Sequence, residues 1–168
     1  MTTEANYRRD EWDLILGAPG LIALVIVHSE QCSPGEVHRK LRAVIAAIDE
    51  TREQGSQSEL IQTVMDAMRR GQSPLWPVEC PYDLEAVHEW ALEGCHQVAI
   101  LLAQKTPEAE GQAYANWLLD IAQRVVAVPR DKGLQDSISE ARGDLPHIVL
   151  EVLADALDVG YKAEAREG

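Results

Sequence analysis

The sequence predicts an all-α protein, a single domain that forms a bundle of six to seven helices. Over most of the chain, apolar residues recur at intervals of three and four, the spacing of a helix buried on one face. Signals that cap helix N-termini precede several of these stretches. The chain has no Phe and only four Trp and four Tyr, so aliphatic residues must build the core. Its 168 residues favour one domain. We expect that domain to span residues 10–159, between polar, flexible tails at 1–9 and 160–168.

The first part of the chain predicts two helices with a break between them. Residues 10–16 predict a short helix, which the Gly-Ala-Pro-Gly sequence at 17–20 interrupts, because Pro favours the start of a helix over its interior. Residues 21–27 are apolar, rich in β-branched side chains, and could form a strand. Since a lone strand has no partner elsewhere in the chain, we interpret this segment as a buried helix.

Each of the remaining helices follows its own start signal. Ser33 precedes Pro and a Glu three residues on, and Ser56 and Ser137 each begin a Ser-x-x-Glu capping box. Thr106 is followed by Pro at the expected first helical position, and Asp83 is a plainer cap. A further amphipathic helix is predicted near the C-terminus.

The charge and cysteine content restrict the function classes. The net charge of −13 repels phosphate groups, so we expect no nucleic-acid partner and no membrane partner. The longest apolar run, residues 21–27, is far shorter than the ~20 residues of a membrane span. The N-terminal residues lack a basic-then-apolar signal pattern. Cys32, Cys80 and Cys95 form no Cys-x-x-Cys pair, and reduced thiols suit a cytoplasmic location.

Two Glu-x-x-His pairs are the most suggestive chemical pattern. Glu85 and His88 form the first, and Glu93 and His96 form the second. Each pair shares a helix face, a spacing that ferritin-like proteins use for metal ligands. Both pairs lie on one helix, separated by about 12 Å along the axis and about 80° around it, so they cannot flank one dinuclear site within a chain. One pair could hold a single divalent metal ion with ligands from elsewhere. The alternative is a half-buried, hydrogen-bonded His88 and a solvated His96.

A second group of potential ligands surrounds a predicted inter-helix loop. It comprises His28, Glu30, Cys32, Glu36 and His38. Their spacing matches no zinc pattern, so we interpret them as a polar inter-helix loop, with a metal site as the alternative.

Signals for nucleophilic catalysis are missing, and one tryptophan suggests binding instead. The sequence has no Gly-x-Ser-x-Gly elbow, and no base near Cys80 in the sequence would activate it. Trp76 stands in a proline-rich loop, where it either anchors a partner or covers the ends of neighbouring helices.

One stretch of the sequence resembles part of a known group of proteins. The block Trp117-Leu118-Leu119-Asp120-Ile121-Ala122-Gln123 resembles a block in a group of short, uncharacterised bacterial all-helical proteins. Trp12 and the Ala-Pro turn at 18–19 are similar to positions near the N-termini of that group. Where the group has a glycine-rich turn before its last helix, this chain has residues 129–143. The resemblance implies an all-α fold in a bacterial cytoplasm and brings no activity with it.

These observations together predict a non-catalytic helical interaction or scaffold protein. We expect its partner to be another protein or a second copy of the chain, and we expect no cofactor. The alternative is a metal-binding protein or metal-dependent enzyme that uses the Glu-x-x-His pairs. A pocket for a small apolar ligand between helices is neither favoured nor excluded.

Overall fold

The computed structural model describes residues 2–72, 84–129 and 145–158. Within these ranges a 3-10 turn at Glu4–Asn6 precedes six α-helices, and no strand occurs. The helices are α1 (Arg9–Glu30), α2 (Pro34–Gln54), α3 (Glu59–Arg69), α4 (Leu84–Lys105), α5 (Glu108–Val126) and α6 (Leu145–Ala156). The all-α class and the helix number predicted from the sequence are confirmed.

Helix α1 forms the centre of the bundle. It contacts each of the other five helices, and every residue from 15 to 26 is buried. A helix that is apolar on all sides must be covered on all sides, so the other helices pack around it. By length and hydropathy α1 could also cross a membrane, but 72% of its most apolar window is buried inside the bundle. That burial suits a core helix.

Pro19 does not interrupt α1, so the predicted break at 17–20 is wrong. A proline inside a helix removes the N–H that would bond the carbonyl four residues earlier, here the carbonyl of Ile15. The hydroxyl of Tyr114 in α5 donates to that Ile15 oxygen at 2.5 Å, at a fully buried position. The bundle therefore supplies from α5 the donor that Pro19 removes, and the helix continues.

Helix α4 runs antiparallel to α1 and approaches it closely. Ser29 contacts His88 near one end, and Glu11 accepts from the Lys105 ammonium at 2.6 Å near the other. Between them lies Gly94, where a Cβ atom would stand 2.7 Å from a methyl carbon of Leu21. The missing side chain lets the two helices pack at short distance and sets the position of the α4 histidines relative to α1.

The predicted helix starts are correct at Ser33 and displaced at two other positions. The Ser33 hydroxyl accepts from the Glu36 N–H at 3.3 Å. The cap of α3 is Ser58, which accepts from the Ile61 N–H at 3.3 Å, so the prediction of Ser56 is wrong by two residues. Thr106 does not cap α5, because its hydroxyl hydrogen-bonds with the Tyr7 hydroxyl. The caps predicted at Asp83 and Ser137 lie outside the described residues.

Residues 2–9, which the sequence predicts as part of a flexible N-terminal tail, pack onto the bundle. The Thr2 N–H donates to the Glu59 carboxylate at 3.1 Å, which fastens the chain to the start of α3. The buried ring of Tyr7 stacks on Trp12 with the ring centroids 5.7 Å apart. The predicted tail at 160–168 is outside the described residues.

Candidate functional site

The four predicted metal ligands all lie on α4, in two different environments. Glu85 and Glu93 are exposed, whereas His88 and His96 are half-buried. The carboxylate of Glu93 accepts from the Gln97 amide at 2.9 Å. In the part of the chain that is described, no three His, Cys, Asp or Glu side chains form a group that could hold a metal ion. Metal binding by the two Glu-x-x-His pairs stays a prediction.

The structure brings His88 next to the segment of α1 that contains part of the other predicted ligand group. The Nε2 atom of His88 lies 3.0 Å from the Ser29 hydroxyl of α1. His28, next in sequence to Ser29, is close enough for the charge of His88 to act on it. Burial first, and the His88 charge second, lower the pKa of His28. His28 and His88 thus lie near the same part of the α1–α4 interface, a proximity that sequence spacing could not indicate.

Glu30 of that predicted ligand group belongs to a buried ion pair, whereas Glu36 is buried on α2 and His38 is exposed. Lys40 is only 1% exposed, and its ammonium lies 2.9 Å from the Glu30 carboxylate. It also donates, at 2.9 Å, to the Val125 carbonyl in the last turn of α5. The last carbonyls of a helix have no donor within it, so Lys40 caps α5 from α2. The thiol of Cys32 donates to Glu30 at 3.9 Å. This cluster ties three helices together, and its burial withholds Lys40 from any substrate.

Sequence analysis missed Lys40, although the pattern contained a usable signal. Lys40 follows the buried Glu36 by four residues and precedes the buried Val44 by four. Helical spacing therefore places its side chain on the buried face of α2. A lysine at such a position must be paired, because an isolated buried charge is too costly.

A groove of about 790 Å³ opens beside the N-terminal end of α1. Tyr7, Trp12 and Leu16 line its apolar part, and Arg9 and Asp13 stand at its rim. The indole N–H of Trp12 is buried and has no hydrogen-bond partner among the described residues. Trp12 is only 3% exposed, so the groove presents its rim charges to an incoming molecule rather than this donor.

The outer surface of α6 exposes apolar side chains beside acidic ones. Ile148 is 52% exposed and Val152 is 39% exposed. They are four residues apart, so they lie about 40° apart around the helix and one turn apart along it. Glu151 and Asp155 are also exposed, and the helix contains no Lys or Arg. We call these four side chains the α6 outer face.

A smaller groove lies at the C-terminal end of α6. It measures about 370 Å³, and its apolar wall includes Ala99 and Ala103 of α4 and Leu157 beyond α6. Glu108 and Asp158 also line it. None of its described lining residues is a Lys or Arg. We call this feature the acidic groove.

Comparison with protein-family models, with curated proteins and with solved structures found no match to this chain. The resemblance to a bacterial helical group therefore stays a prediction. The block that carries it lies within α5, and Trp117 donates from its indole to the Thr51 hydroxyl at 2.9 Å. Asp120 and Gln123 of the block are exposed, as expected for the outer side of a packed helix.

Two predicted positions cannot be placed against these sites. Trp76, the candidate anchor for a partner, and Cys80, in the same proline-rich loop, lie outside the described residues. Sequence analysis overlooked the exposed apolar pair of the α6 outer face. The predicted periodicity included Ile148 and Val152 in the last amphipathic stretch, and periodicity alone does not show which apolar residues of a broad stripe remain exposed.

Proposed function

We propose that the protein is a non-catalytic helical interaction or scaffold protein that binds a protein partner, or a second copy of itself, through the α6 outer face. The observation that carries the proposal is the exposure of Ile148 and Val152, one turn apart on a helix whose opposite side is buried. Two adjacent exposed aliphatic side chains lose unfavourable contact with water when a partner covers them. Helix-in-groove complexes use anchors at this spacing.

The reactive side chains described above support a binding role over a catalytic one. Lys40 and Glu36 are buried. Burial raises the pKa of the Cys95 thiol to about 12, so the thiol remains protonated and a poor nucleophile at neutral pH. These groups hold helices together or fill the core.

The test compares the wild type with the double variant Ile148→Ser/Val152→Ser. Light scattering over a wide range of protein concentration measures self-association. Fluorescence anisotropy measures binding of three labelled amphipathic helical peptides, one basic, one neutral and one acidic. We expect at least one of these associations in the wild type and its loss in the double variant. Thermal melts should show both proteins folded, because the replaced side chains are substantially exposed.

Ile45→Ser provides the matched control. Ile45 is an exposed isoleucine of α2 and lies outside the α6 outer face. It should leave the association unchanged. A wild type that remains monomeric and binds none of the three peptides would contradict the proposal, and so would an association that the double variant retains in full.

Metal binding at His88 is the second candidate, and one observation favours it. His88 lies 3.0 Å from the Ser29 hydroxyl, and His28 is next to Ser29 in sequence, so two histidines from two helices lie near the same part of the α1–α4 interface. Imidazole is the commonest ligand for ions such as Zn²⁺. If these residues bind metal, Zn²⁺ raises the melting temperature of the wild type and not of His88→Gln. Equal melting curves with and without Zn²⁺, Mn²⁺ or Fe²⁺ would exclude this candidate.

A further inference from the structure

From the charges around the α6 outer face we infer the chemistry of the partner, an inference that rests on the proposed function. The surface fits a cationic amphipathic segment of another protein. Two apolar residues of that segment would pack on Ile148 and Val152, and its Lys or Arg residues would pair with the neighbouring carboxylates.

The acids of α6 lie on one flank of the apolar pair. At 100° per residue, Asp155 lies about 20° and Glu151 about 60° from Ile148, on the side away from Val152. Both are exposed, and none of the ion pairs found within the described residues involves them. An incoming cation therefore meets two carboxylates that form no ion pair with a Lys or Arg of the described residues.

The acidic groove continues this charge at the end of the helix. Asp158 follows the last turn of α6, and Glu108 begins α5 across the groove. Between them the wall is formed by small or apolar residues such as Ala99, Ala103 and Leu157. A Lys or Arg side chain can pack its alkyl stem on such a wall while its charged end reaches a carboxylate. The groove thus supplies a second contact for the same cationic segment.

A second copy of the chain fits this surface poorly. A two-fold contact places the same patch of both copies against itself. Glu151 and Asp155 of one copy would then approach the same carboxylates of the other, and each chain carries a net charge of −13. Juxtaposed like charges are unfavourable, whereas opposite charges guide a partner into register.

The experiment uses the full chain and a labelled helical peptide with two leucines four residues apart and lysines along one flank. Fluorescence anisotropy at physiological salt gives its dissociation constant for the wild type and for Glu151→Lys/Asp155→Lys. We expect the charge reversal to weaken binding about tenfold or more, which corresponds to about 1.4 kcal/mol. Ile148→Ser/Val152→Ser should also weaken it.

A control variant distinguishes binding at the α6 outer face from a general attraction of the basic peptide to an acidic protein. Glu53→Lys/Glu89→Lys makes the same change in net charge at exposed positions of α2 and α4. We expect it to change the dissociation constant by less than about threefold, because neither residue belongs to the α6 outer face or lines the acidic groove, and salt screens exposed charges. Equal weakening by both charge reversals would overturn the inference.

The outcomes distinguish this inference from the proposed function. If the neutral or acidic peptide binds the α6 outer face as tightly as the basic one, or if the chain self-associates through that face, the cationic partner is wrong and the proposed function stands. If no peptide binds and the chain stays monomeric, both are wrong.

Discussion

A single hydroxyl explains how a helix with proline in its interior can lie at the centre of this fold. Pro19 removes the N–H that would bond the Ile15 carbonyl, and Tyr114 donates to that oxygen instead. Burial raises the pKa of Tyr114, so the phenol keeps the proton that it donates. A buried carbonyl without a donor destabilises the folded state, so this single hydrogen bond contributes measurably to stability.

Tyr114→Phe should lower the free energy of unfolding by about 1–3 kcal/mol, the typical cost of leaving a buried polar group without a partner. Urea denaturation measures it. The matched background is Pro19→Ala, in which the new N–H can bond Ile15 directly. There the loss of the Tyr114 hydroxyl should cost less. An equal cost in both backgrounds would show that Tyr114 does not replace the donor that Pro19 lacks.

His28 should make stability depend on pH. Its pKa is lowered by burial and by the charge of His88, so the folded protein holds its proton less strongly than the unfolded chain. The unfolded chain therefore binds more protons between about pH 6.5, the usual histidine pKa, and the lower folded value. His28 contributes full stability above that window, and the contribution is lost as the pH falls through it.

His28→Gln should flatten this dependence. Urea midpoints from pH 5 to pH 8 would be compared for the wild type, for His28→Gln and for His38→Gln, a change at an exposed histidine of α2. We expect the wild type and His38→Gln to lose stability on acidification and His28→Gln to lose less. Parallel curves for all three proteins would contradict the assignment of the effect to His28.

At the scale of the helices, two termini are capped by side chains from a different helix. Lys40 of α2 donates to the last turn of α5. Glu110 of α5 accepts from the Leu60 N–H at 3.0 Å and from the Ser58 hydroxyl at 2.7 Å at the start of α3. These bonds lower the pKa of Glu110, with the backbone N–H of Leu60 as the largest cause. The carboxylate therefore stabilises the fold above about pH 4.5, the usual glutamate pKa, and this contribution is lost as the pH falls through the lowered value.

Glu110→Ala should destabilise the protein at neutral pH by about 1–2 kcal/mol, because it removes the acceptor for two donors at the start of α3. Glu108→Ala is the control, since Glu108 stands in the same first turn of α5 and is exposed. Chemical denaturation of both variants separates the contact with α3 from the general effect of an acid at a helix N-terminus. Equal destabilisation by the two changes would contradict the capping role.

The same contacts show how far the sequence could predict the structure. Apolar spacing depends on local geometry, so it predicted the helices after Ser33 and Thr106 and the all-α class. The predicted helix break at Pro19 was wrong because Tyr114 supplies the hydrogen bond that Pro19 removes. The cap predicted at Ser56 was wrong, since Ser58 caps α3 and its hydroxyl also bonds Glu110 of α5. The cap predicted at Thr106 was wrong because the Thr106 hydroxyl bonds Tyr7 instead. Such long-range contacts leave no local pattern.

The candidate site was less predictable than the fold. The Glu-x-x-His spacing located half-buried histidines on α4, but the approach of His28 and His88 depends on how α1 and α4 pack. The exposure of Ile148 depends on the position of α6 against the bundle. Both features depend on how the helices pack, which the sequence pattern does not show.

For the molecule as a whole, a central apolar helix is covered by five others under an acidic surface of net charge −13. A negative charge of this size opposes the approach of a second copy and attracts basic molecules. We propose that the apolar side chains of the α6 outer face give such a partner a specific place to bind and that the acidic groove extends the contact. Binding at one end of the bundle, with the core unchanged, is the central claim of this account.

Amide chemical shifts of isotopically labelled protein, titrated with the basic amphipathic peptide, test that claim most directly. We expect shifts to change at α6, at the end of α4 and at the start of α5, while the buried amides of α1 remain unchanged. Shifts spread evenly over the acidic surface, or centred on the groove beside Trp12, would contradict it.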